Sequence, residues 1–179
     1  MYRNVWKCMP VALLLSCHAY VVPCVPTRPG NMSCDTGCSA WHPYTRIPVC
    51  FETSVTEMTA QNWLTGMDII ESETCDLFQD PVICDDCPEC IRLQEVGLDD
   101  GGDLGSARWN FDDDTCMVYN ASATIVLGDA WYMPLAAAHE LMHTLGFYHD
   151  ERGMLRPSVG DPEILEEDLA VIRALYCGH

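Results

Sequence analysis

From Arg46 the chain alternates, with Ile47, Val49 and Phe51 apolar between Pro48, Cys50 and Glu52, which is the two-residue period of a half-buried strand. Pro48 has no N–H for a ladder, so this reads as an edge or first strand. Ser54-Val-Thr-Glu57 follows as a capping box, a serine oxygen and a glutamate satisfying each other's end of a helix start. Ala60, Trp63, Leu64, Met67 and Ile70 then recur at helical spacing and predict a helix with one broad apolar face. Residues 75–90 are acidic and turn-like and hold four cysteines, Cys75, Cys84, Cys87 and Cys90. Alternation resumes at Ile91 and Leu93, Asp99 to Asp103 reads as a turn, and Tyr119, Ala121, Ala123, Ile125 and Leu127 fit another strand. Pro134 suits a first helical turn and Gly146 is placed to close the helix it opens. A terminal amphipathic helix is expected over Ile164, Leu165, Leu169, Ile172 and Leu175, with Glu163, Glu166, Glu167 and Asp168 at its favourable N-terminal end. The order of elements predicts an α/β or α+β fold in one domain, residues 44–179.

The segment ahead of that domain has a different character. Residues 17–43 carry Pro23, Pro26, Pro29, Gly30, Gly37 and Pro43 and read as a tether. Residues 1–16 read as a signal peptide, with Arg3 and Lys7 as its basic region and Cys8 to Leu15 as an apolar run too short to span a bilayer. Leu14-Leu15-Ser16-Cys17 resembles a bacterial lipobox, in which Cys17 would carry lipid; cutting after Ala19 would release a soluble protein instead. The expected location is extracellular, or a bacterial envelope where the protein is held as a lipoprotein.

Composition supports export. Of 179 residues, 12 are cysteine, a density that an oxidising compartment turns into crosslinks. Without Cys8 and Cys17, ten remain, an even number that predicts a disulfide-stapled fold with connectivity unreadable from sequence. Hydrophobic residues make up 49% of the chain, enough for a core despite a net charge of −18. That charge, with Lys7 as the sole lysine, excludes a phosphate backbone as partner, and membrane contact is expected only through lipid on Cys17. A monomer acting on polypeptides is expected. Asn31-Met-Ser33 and Asn120-Ala-Ser122 are glycosylation sequons, relevant only in a eukaryotic secretory pathway.

The chemistry concentrates in His139-Glu-Leu-Met-His-Thr-Leu-Gly-Phe-Tyr-His-Asp150. Histidines at i and i+4 share a helical face, so His139 and His143 can reach one ion. A straight helix would carry His149 away; Gly146 can take the left-handed conformation that turns the chain back and delivers it as a third ligand. Three imidazoles suit one zinc ion and leave a fourth position for water, as in a catalytic site. Glu140 would then stand beside that water as general base, and the reaction inferred is peptide-bond hydrolysis.

These residues resemble the metzincin metallopeptidases, whose signature HExxHxxGxxH matches at every fixed position. The resemblance implies a twisted mixed sheet, an active-site helix, a C-terminal helix and a methionine turn beneath the metal. Met154 is the candidate for that turn, with Pro157 after it, although the gap from His149 is shorter than in most of the family. Gly101 to Ala107 and Glu167 to Tyr176 are similar to matrixins, whereas Asp150 is what adamalysin-type enzymes carry. Ser106 stands where matrixins offer a histidine to a structural zinc, so no second zinc is expected. Asp99, Asp100 and Asp103 have the oxygen chemistry of a calcium site, but a solvated acidic turn is the preferred reading. Cys84-Asp-Asp-Cys-Pro-Glu-Cys90 is expected to form disulfide staples rather than a metal knuckle or redox pair. The competing function is a non-catalytic zinc-containing binding or adhesion module, in which Glu140 would be dispensable.

Overall fold

The computed structural model describes residues 46–97, 104–111, 118–130, 132–147 and 164–177. Five strands, β1 (Val49–Phe51), β2 (Val82–Ile83), β3 (Ile91–Val96), β4 (Gly105–Phe111) and β5 (Val118–Val126), join in one mixed sheet of order β2-β1-β3-β5-β4. The first four in that order run parallel and β4 alone is antiparallel, paired with β5. Among the described residues three α-helices complete an α/β fold: α1 (Glu57–Glu71), α2 (Met133–Thr144) and α3 (Glu166–Tyr176).

One face of the sheet is apolar for the reason the alternation predicts. Val49, Ile91, Leu93, Ala121, Ala123 and Ile125 are buried in a single core with Trp63, Met67 and Ile70 of α1, Leu141 and Met142 of α2, and Ile172 of α3. The other face keeps polar chemistry, as Arg92 binds Glu52 across β1 and β3 at 2.6 Å. Residue 48 precedes β1 rather than lying in it, and its carbonyl accepts from Ile91 N at 2.9 Å. β1 is first in the chain but has β2 on its outer side, so the edge reading does not hold. Nor is β1 half-buried: Cys50, expected to face outward, is buried against Cys84 and Cys90.

Helix α1 starts differently from the capping box. Its N-cap is Thr56, whose hydroxyl accepts from Thr59 N at 3.3 Å, and not Ser54. The carboxylate that completes the cap comes from β3: Glu95 Oε2 accepts from Thr56 N at 3.0 Å and from Thr56 Oγ1 at 2.6 Å. Thr59 and Gly66 are buried while Ala60 and Leu64 are only half-buried, so the packed face is rotated from the expected one. Gly66 explains the rotation, because a Cβ there would lie 2.8 Å from both Ala137 Cβ and Ala138 N; α1 and α2 touch backbone to backbone.

The cysteines act as staples. Cys50–Cys84 ties β1 to the 3-10 turn after β2, Cys87–Cys90 closes the loop entering β3, and Cys75–Cys177 links the α1 exit to the end of α3 across 102 residues. Arg173 reinforces the last link by donating from Nη2 to the Glu73 carbonyl at 2.6 Å, and pairs within α3 with Glu166 at 2.7 Å. Strands β2 and β4 were not expected from the sequence. β2 has two exposed residues and no period to read, whereas β4 alternates Ala107 and Trp109 with Ser106, Arg108 and Asn110. Among the described residues no helix is long and apolar enough to cross a membrane.

Candidate functional site

Helix α2 is apolar on nearly every side, and residues 136–144 are all buried between the sheet and α1. Its reactive side chains are therefore held by a rigid element rather than by a loop. Pro134 lies in the first turn, where its missing N–H costs nothing. The other end closes on Gly146 at φ 97°, with Gly146 N donating to His143 O at 2.9 Å and Phe147 N to Met142 O at 3.2 Å. Those two bonds define a Schellman turn, which ends the helix at the glycine as the sequence predicts.

That turn acts directly on His143. It places the Phe147 carbonyl 2.7 Å from His143 Nδ1. A carbonyl only accepts, so Nδ1 carries the proton and Nε2 of the neutral ring presents a lone pair. His139 Nε2 lies 3.0 Å from His143 Nε2, the two rings being nearly perpendicular at 87° with centroids 4.6 Å apart. Two buried imidazole nitrogens aimed at each other need a proton or a cation shared between them. Their chemistry fits a borderline cation such as zinc, which takes neutral imidazole through Nε2.

Glu140, between the two histidines in sequence, retains only 7% of its accessible surface. Its side chain lies against β4: a Cβ built at Gly105 would come within 2.7 Å of Glu140 Cγ, 2.9 Å of Glu140 Oε1 and 2.7 Å of Thr124 O. Strand β4 reaches the helix a second time through Trp109, whose ring stacks on His143 with centroids 5.8 Å apart and planes within 7°. Neither Gly105 nor Trp109 stands out in the sequence as a site residue. The alternation over 105–110 could have revealed the strand, but its register against α2 is a tertiary property.

The structure thus brings together His139, Glu140 and His143. His149, the expected third ligand, and Met154, the candidate methionine turn, lie outside the described residues, as do Asp99, Asp100 and Asp103. Among the described residues no three His, Cys, Asp or Glu side chains are grouped as a metal ion requires. No protein-family model matches the chain, and no curated protein is significantly similar to it.

Proposed function

We propose that this protein is an exported, zinc-dependent endopeptidase of metzincin type. The observation that carries the reading is the pairing of His139 and His143, with Nε2 atoms 3.0 Å apart and the His143 tautomer set by the Phe147 carbonyl. Paired lone-pair donors beside a buried carboxylate on the same helix are what a hydrolytic metal centre needs. His139, His143 and His149 would hold the ion, which when bound supplies Lewis acidity to the scissile carbonyl and acidifies water.

The chain's own groups do the rest. Glu140 accepts the proton of the attacking water and returns it to the leaving amine nitrogen, so a single carboxylate serves as base and then as acid. Its burial beside the Gly105 backbone raises the strength of that exchange by excluding competing water. Among the described residues strand β4 lies at the end of the sheet order, so an extended polypeptide pairing with it would run its backbone past Glu140; this favours a polypeptide substrate. Disulfides at Cys50–Cys84, Cys75–Cys177 and Cys87–Cys90 favour a location outside the cytosol.

The test is hydrolysis of an unstructured polypeptide by the purified protein with its metal content measured in parallel. Glu140→Gln is expected to retain the metal and to lose hydrolysis by about 100-fold or more. A Glu140→Gln protein that cleaves as fast as the parent overturns the catalytic role. A metal-loaded parent inactive on a broad peptide mixture would return the protein to a binding module.

A further inference from the structure

We infer that Trp109 is a positioning residue for the metal centre, fixing the plane of the His143 imidazole from the adjacent strand. The inference rests on the reading of His143 as a metal ligand. The contacts that hold that ring include Trp109, stacked on its face with centroids 5.8 Å apart and planes within 7°, the Phe147 carbonyl at Nδ1 at 2.7 Å, and His139 at its edge at 4.6 Å. The carbonyl chooses the tautomer; a hydrogen bond in the ring plane at Nδ1 does not by itself fix the tilt of that plane. The flat indole fixes that tilt, because rotating the imidazole out of plane would drive its edge into the tryptophan face.

The backbone is shaped around this residue. Along β4 and β5, Arg108 pairs with Ser122 and Asn110 with Tyr119, so Trp109 stands opposite two residues, Asn120 and Ala121. This is a β-bulge, and Asn120 takes φ 50°, the one positive value at a non-glycine position among the described residues. Trp109 keeps the face of Gly105 and Ala107, which is the face turned to α2, and the bulge on β5 leaves it opposite no single partner. Ala107, two residues earlier on the same face, is too small to reach a ring, and Trp109 stands where the strand pairing is irregular.

Cobalt(II) titration of the full chain tests this, read by d–d absorption for binding and by tryptophan emission for proximity, since an excited indole is quenched steeply with distance by a bound cobalt ion. Trp109→Leu is expected to bind cobalt about tenfold more weakly, as loss of a partner that orients a ligand does. Trp109→Phe keeps a flat ring and is expected to hold affinity within about twofold, while losing the largest quenched part of the emission. Circular dichroism on each variant reports folding; should Trp109→Leu fail to fold, the Phe variant decides through its quench. Unchanged affinity in a folded Trp109→Leu protein, or an unchanged quench in Trp109→Phe, overturns the inference while leaving the metal site standing. No cobalt uptake by the parent chain overturns both.

Discussion

Phe147 directs its backbone carbonyl onto His143 Nδ1 at 2.7 Å, so the end of helix α2 sets the protonation of the histidine one turn before it. The geometry depends on Gly146, whose φ of 97° lets the chain reverse and bring residue 147 back over the helix.

Replacing Gly146 is therefore expected to act on both stability and the proposed metal binding. Gly146→Ala forces a Cβ into the left-handed region, at a cost of about 1–2 kcal/mol. Urea unfolding should show that loss, and metal affinity should fall with it as the Phe147 carbonyl moves off Nδ1. Gly146→Asn should lose less, because asparagine tolerates this conformation.

Gly105→Ala separates the proposed role of Glu140 from that of the histidines. The new Cβ would meet Glu140 Cγ at 2.7 Å and the Thr124 carbonyl at 2.7 Å, so the carboxylate or strand β4 must shift. Destabilisation of about 1–3 kcal/mol is expected, as for other overpacked positions. Hydrolysis should fall by more than metal content does; equal losses of the two would point to a general collapse of α2.

The Thr56 and Glu95 cap predicts acid sensitivity of α1. Partial burial of Glu95 raises its pKa, but the bonds from Thr56 and Thr59 outweigh it and hold the carboxyl below its ordinary value. A depressed folded pKa contributes stability that is present above the unfolded value and is lost as pH falls through the folded one. Chemical denaturation between neutral pH and the acid range below the usual carboxylate pKa should show this loss in the parent and a smaller one in Glu95→Gln. At neutral pH, Thr56→Ala should cost about 1 kcal/mol.

Cys75–Cys177 closes the longest of the crosslinked loops among the described residues, its partners standing 102 positions apart. Cutting it in Cys75→Ala/Cys177→Ala should destabilise by about 2–5 kcal/mol in equilibrium unfolding. Arg173 also ties α3 to the Glu73 carbonyl, so adding Arg173→Ala should cost more in the double variant than in the parent.

The residues of the candidate site were legible because helical spacing is a property of sequence. His139 and His143 stand four apart, Glu140 is fixed beside the first, and Gly146 marks the stop; local geometry alone puts them together. The apolar face of the sheet at Val49, Ile91, Leu93 and residues 121–125 was legible for the same reason, since a two-residue period is local. Contacts between distant segments were not. Glu95 capping a helix 39 residues earlier, Cys50 buried beneath the Cys84–Cys90 loop, Gly105 making room for Glu140 and Trp109 lying over His143 each depend on which strands pair and in what register. Register follows from burial summed over the whole sheet, so only the tertiary structure could decide which side chains of β4 would face the helix that bears the histidines.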